Sequence, residues 1–297
     1  MLFVLLNVLV PVIGCVLVGY VWGKTSADFP NQFITRMVTY VAAPCLIVST
    51  MSQYQFDTRL LYDMALLSLV TLAGVAFLGL AIFKFMGTPF RPYSLATVFP
   101  NTGNIGLSLC LFAFGEEGLA LALIPFVIIS LFHFAVGDIV LNRSESKREG
   151  ILIALRQPIL LATFLVLAQI LLDFQLPKPI LSTTKLLGGM TIPLMLVTLG
   201  VSLSAIHPGS WTRGALVAGI RVFGGLIVCG AAIWLAGTKG LPAKVMLVQA
   251  SMPSAVFNYF FALKYDTEVE SVASAVMIST VLSLVLMIPL LGYLTGS

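Results

Sequence analysis

Charge is scarce in this sequence. Only 9% of its 297 residues are Asp, Glu, Lys or Arg, against about 25% in a soluble domain. Hydrophobic residues make up 59%, and the mean hydropathy is +1.05. That balance excludes a soluble globular chain and marks an integral membrane protein. The net charge is only +4, and no basic patch with interleaved aromatics occurs, so no nucleic-acid partner is expected. The four cysteines, Cys15, Cys45, Cys110 and Cys229, sit in apolar runs without C-x-x-C spacing or a neighbouring histidine. That pattern argues against a metal site or a disulfide framework, and the thiols read as small core residues. His133 and Asp138 are five residues apart, so they face different sides of a helix. No G-x-S-x-G turn accompanies them. An intramembrane enzyme is not expected.

What is abundant is long apolar sequence. Ten stretches reach or approach the length of a bilayer-crossing helix: 2–22, 36–51, 60–85, 93–113, 118–141, 157–173, 180–203, 214–236, 241–264 and 269–294. Strands of a membrane barrel would alternate and be about half as long. The expected fold is therefore all-α, with ten transmembrane helices. The motif "VIGC" at 12–15 resembles a lipoprotein cleavage box. However, no Lys or Arg precedes the run, and the run continues past Tyr20. It reads as a first membrane helix, not a removed signal.

Basic residues set an expected orientation. Loops after the odd-numbered segments carry Lys24, Arg36, Lys84, Arg91, Arg143, Lys147, Arg148, Arg156, Arg213 and Lys264. The opposite loops carry Arg59, Lys178, Lys185, Lys239 and Lys244. The richer side is read as cytoplasmic, which places both termini outside the inner (plasma) membrane. Residues 142–156 then form a cytoplasmic linker between 1–141 and 157–297. Three proline pairs, Pro11 with Pro158, Pro44 with Pro193 and Pro100 with Pro253, are separated by 147, 149 and 153 residues. Five segments per half is an odd number. The two halves are therefore expected to be inverted five-helix repeats, a plan common among secondary transporters.

The stretch "FPNTGNIGLSL" at 99–109 puts a helix breaker and two amides inside an apolar run. Pro100 has no N–H, and its ring clashes with the Ala96 carbonyl. Backbone opened in this way survives at membrane depth only inside protein or beside a cavity. Asn101 or Thr102 can cap a second half-helix, whose free N–H groups attract anions. "QASMPSAVFNYF" at 249–260 repeats the arrangement around Pro253, with Ser254 as a cap. If segments 4 and 9 cross at these breaks, they enclose a polar chamber. Asn101, Thr102, Asn104, Ser254 and Asn258 are the expected substrate contacts. Gln249 and Ser251, with carbonyls of the first half-helices, are the expected ion contacts. The other paired prolines read as kinks. Ser251 and Ser254 can equally back-bond to their own helix. Arg221 and His133 read as packed, partnered residues, and Asp63 as a helix-opening acid favoured by the dipole.

The stretches "PNTGNIGLSL" and "QASMPSAVFNYFFALKYD", followed by "SVASAVMISTVLS", resemble the auxin efflux carrier family. That family includes bacterial malate and malonate permeases, with plant PIN-type carriers as distant members. The resemblance extends over the whole chain, through "YVAAPCLIV", "LRQPILLATFLVLA" and "IPLMLVTLGVSL". It implies a fold like the bacterial sodium/bile-acid symporters. Segments 1, 2, 6 and 7 would form a scaffold, and segments 3–5 and 8–10 an elevator-type transport domain. It maps a carboxylate-binding asparagine onto Asn101 and the crossover prolines onto Pro100 and Pro253, and it implies homodimers through the scaffold. Two positions depart from its relatives. Leu67 stands one turn after Asp63 where the plant carriers have a lysine, and Gln249 stands near where the sodium symporters have a glutamate. The resulting expectation is a secondary carrier for a small organic anion, a mono- or dicarboxylate. It needs no cofactor, and coupling to Na+, H+ or neither stays open. The alternative is an uncoupled facilitator or channel.

Overall fold

The computed structural model describes residues 2–25, 29–54, 57–141, 157–172 and 174–296, without the side chains of 2–5, 134, 138, 139 and 296. The 142–156 linker, its basic residues and the Asp138 side chain therefore lie outside the described residues. The regular structure of the described residues is helical, apart from one isolated antiparallel bridge between Pro100 and Ser254.

The helices are α1 (Leu2–Thr25), α2 (Asn31–Met37), α3 (Ala43–Met51), α4 (Thr58–Phe85), α5 (Ser94–Val98), α6 (Ser108–Leu141) and α7 (Pro158–Leu172). They continue with α8 (Lys178–Gly188), α9 (Thr191–Ala205), α10 (Trp211–Gly219), α11 (Gly225–Ala236), α12 (Gly240–Ala250), α13 (Val256–Lys264) and α14 (Val269–Gly296). Three widened π turns interrupt them, at Val38–Ala42, Thr102–Leu107 and Ile220–Gly224. The first has a direct cause. Pro44 sits in the first turn of α3, lacks an N–H and displaces the carbonyl four residues back, so the ladder shifts by one residue.

The expectation of ten membrane-spanning helices in two inverted five-helix repeats is corrected. Among the described residues, seven helices are long and apolar enough to cross a membrane. They are Leu6–Thr25, Asn31–Met51, Thr58–Phe85, Thr102–Gly137, Lys178–Ala205, Trp211–Ala236 and Val269–Thr295. Hydropathy averages over a proline, but the backbone does not. Segment 4 breaks after Val98, leaving the five residues of α5, and the helix that restarts at Thr102 runs on through segment 5. Segment 9 breaks into the 11 residues of α12 and the 9 of α13. Segment 6 yields only the 15 residues of α7. Inside α6, Gly115 adopts φ 71°, ψ −163°, which an L side chain resists, and the helix kinks there.

Packing sorts the helices into two groups. In one, α1 lies along α9, and α3 packs on α7 and α8. The α1–α9 contact is close because its glycines are bare. A Cβ on Gly19 would strike the Val197 carbonyl, and one on Gly200 would meet the Val16 carbonyl and the Tyr20 N. Small residues at such contacts let helix backbones approach within a membrane. In the other group, α10 packs along α14, α11 on α4, α12 on α6 and α13 on α14.

Candidate functional site

The two proline breaks meet. Asn101 N donates to Pro253 O at 2.7 Å, and Ala255 N donates to Phe99 O at 3.1 Å. This short antiparallel pairing satisfies backbone groups that the prolines free from their helices, groups that cannot stay unpaired at membrane depth. Behind it, Asn258 Nδ2 donates to Phe99 O at 3.1 Å and to Ser254 Oγ at 2.9 Å. Ser254 N donates to Ser279 Oγ at 3.0 Å, and Ser283 Oγ donates to Ser251 O at 2.8 Å. Both α14 serines thus hold the second break from the rear.

Each predicted residue has a definite place. Asn101 is the N-cap of the helix that restarts at Thr102, its Oδ1 accepting from Asn104 N at 3.1 Å. That use of Oδ1 leaves the Nδ2 donor for the cavity that Asn101 lines with Thr102 and Asn104. Ser254 does not cap α13. The N-cap is Ala255, without a side-chain bond, and the Ser254 hydroxyl instead receives Asn258. Ser254 and Asn258 are both fully buried and bond to the crossover backbone. Ser251 Oγ back-bonds to Leu247 O at 2.6 Å. Gln249 lies on the other side of the crossover from Asn101 and Asn104. It shares a small cavity with Arg221 and Thr71, and its Oε1 has no partner among the described residues. His133 stacks on Phe99 with ring centroids 4.5 Å apart, and Phe261 lies tilted against it at 5.6 Å. Asp63 does not open its helix. Asp57 is the N-cap of α4, and Asp63, in the second turn, lies 3.9 Å from Arg59.

On the N-terminal side of the crossover lie two adjoining cavities. The inner one, about 80 Å³, is lined by Asn101, Thr102, Asn104, Ser130 and His133 among others. The outer one, about 490 Å³, is lined by Arg36, Thr35, Asn104, Thr198, Ser202 and Phe257 among others. They share Val38, Thr39, Asn104, Met195 and Phe257. The Thr198 hydroxyl is buried without a partner among the described residues. The outer cavity sits between the two packing groups, with α2 and α9 on one wall and α13 on the other. Sequence reasoning counted Arg36 only as a loop charge and did not single out Thr198. No local motif marks either residue, since the cavity is made by helices far apart in the chain.

On the C-terminal side lies Arg221, 1% exposed. Its Nη1 donates to Thr97 O at 3.2 Å and to Val98 O, and its Nη2 donates to Ala250 O at 3.0 Å. These carbonyls end α5 and α12. Among the described residues no carboxylate pairs with Arg221, and no cluster of His, Cys, Asp and Glu could hold a metal.

The profile of the family described as "Membrane transport protein" matches residues 4–154 and again 147–291. A protein of Methanocaldococcus jannaschii described as an uncharacterized transporter is 29% identical over 97% of this chain and 98% of its own length. Another uncharacterized transporter, from Methanothermobacter thermautotrophicus, is 29% identical over 92% of this chain and 93% of its own. A Rhizobium meliloti protein described as "Putative malonate transporter" is 24% identical over 93% of this chain and 92% of its own. Taken with its membrane-spanning helices and paired breaks, the chain belongs to the membrane transport protein family, which takes in auxin efflux carriers and malonate transporters.

Proposed function

We propose that this protein is a secondary carrier for a small organic anion, a mono- or dicarboxylate, working by elevator-type alternating access. The observation that carries the reading is the position of the outer cavity. It runs between the two packing groups and ends at paired half-helix N-termini. The N–H groups of a first helical turn lack intrahelical partners and favour negative charge. Asn101 Nδ2, Asn104 and the N–H groups after the crossover take one carboxylate. Ser254 and Asn258 hold the crossover in the shape that presents those donors. Arg36, at the outer cavity, takes the second carboxylate of a diacid, a substrate class in keeping with the name of the Rhizobium meliloti relative.

In this reading α1–α3 and α7–α9 form the scaffold, and α4–α6 and α10–α14 move against it. With the side rich in Lys and Arg taken as cytoplasmic, the cavity at Arg36 opens inward. The proposal is tested by melting the purified protein against a panel of mono- and dicarboxylates. A ligand of the folded state raises the melting temperature by mass action. A saturable rise with one class of acid is the expected result. No rise with any acid, in protein shown to be folded, would contradict it.

A further inference from the structure

Arg221 lies within the spanning helix Trp211–Ala236 and is almost wholly buried, and its surroundings are unusual. A buried cation is costly unless its charge is met. Here it is met by backbone. The guanidinium takes carbonyls from the C-terminal ends of α5 and α12 together. A helix C-terminus carries partial negative charge, so the carbonyls of the two ends together offset part of the charge of the guanidinium.

Local structure is built around this contact. Arg221 sits in the π turn Ile220–Gly224, a widening that re-aims side chains and recurs at functional sites. A Cβ on Gly225 would strike Ala250 O and Arg221 Nη2, and one on Gly106 would strike Gln249 Oε1. Both glycines therefore allow the guanidinium and the amide to reach the crossover. The space left beside them is about 10 Å³, room for about one water. Arg221 Nε, Thr71 Oγ1 and Gln249 Oε1 are buried there without partners among the described residues. A donor and two acceptors suit a bridging water. A metal ion set against a guanidinium would be repelled.

We propose that Arg221 is a positioning residue that replaces a coupling cation. It ties the negative ends of both half-helices together, so the opposite ends keep their anion-binding shape without Na+. The tie itself stands on the crossover geometry, and only its consequence, Na+-independent transport, rests on the carrier reading.

The test is melting of the purified full chain in sodium, potassium and choline chloride at equal ionic strength, for the wild type, Arg221→Ala and Arg221→Lys. The wild type should melt alike in all three salts. Arg221→Ala should melt lower and be partly restored by guanidinium, at concentrations far below those that denature, and not by choline. Arg221→Lys, which keeps the charge but not the fork, should fall between. If Arg221→Ala does not fold, Arg221→Gln takes its place, and its stability should depend on small cations where that of Arg221→Lys does not. A saturable, Na+-specific rise in the wild type would overturn the proposal. So would a neutral variant with no cation dependence. Uptake by proteoliposomes with choline substituted for Na+ should be unchanged. If no carboxylate is taken up in either salt, the carrier reading fails while the melting result still decides the role of Arg221.

Discussion

Asn101 has two separable jobs, and two substitutions should part them. Its Oδ1 caps the helix restarting at Thr102, and in the proposed function its Nδ2 donates to the substrate in the cavity that Asn101 lines. Asn101→Ala removes both. Loss of an N-cap costs about 1 kcal/mol, which lowers the melting temperature of a chain this size by about 2 °C. Loss of a donor to a charged carboxylate costs about 1.5–3 kcal/mol, or about 10- to 150-fold in transport efficiency. Asn101→Ser keeps a good N-cap oxygen but has no amide. It should melt close to the wild type and still lose transport to the same degree. The assay is a melting curve and proteoliposome uptake on the same preparations of all three proteins. Wild-type uptake by Asn101→Ser would show that the amide touches no substrate. Wild-type melting by Asn101→Ala would show that the cap carries no weight.

Three further outcomes are expected. Arg36→Ala should raise KM for a dicarboxylate by about fivefold, the worth of a solvent-screened ion pair of about 1 kcal/mol. It should leave a monocarboxylate unaffected, and equal effects on both would remove Arg36 from the substrate. Gly200→Val should destabilise the α1–α9 contact by about 1–3 kcal/mol, because the added carbon meets backbone atoms that cannot swing aside, Tyr20 N at 2.7 Å among them. A melting curve reads this directly, and an unchanged curve would mean the helices can part. Glu268→Gln removes the Arg213–Glu268 pair at 3.2 Å, whose side chains are 55% and 34% exposed. It should cost less than about 1 kcal/mol, and a larger loss on melting would show that the pair is less screened than it looks.

The breaks were legible because proline chemistry is local. Pro100 and Pro253 cannot donate to a helical ladder wherever they sit, and an asparagine after such a break is a ready cap. The number of spanning helices was not legible. A hydropathy window sees the apolar residues of 93–113 and 241–264 and not the interruption within them, and nothing in composition reports that the helix restarting at Thr102 joins segment 5 through a kink at Gly115. The part played by Arg221 was beyond sequence reading for a different reason. Its acceptors at Val98 and Ala250 lie 123 and 29 residues away, so spacing on its own helix said only that a charge was buried. Ser254 reads as a cap in the sequence, but it lies just before α13, and Asn258, four residues on within that helix, reaches back to donate to its hydroxyl.

Counterflow in proteoliposomes tests the central claim most directly. Vesicles are loaded with unlabelled malonate or a related carboxylate, and entry of the labelled acid is followed. A carrier with one site exposed in turn to each side should show saturable entry, accelerated by the same acid on the opposite face and reduced in Asn101→Ser. Entry that rises linearly with concentration and ignores the internal acid would contradict alternating access and point to a pore.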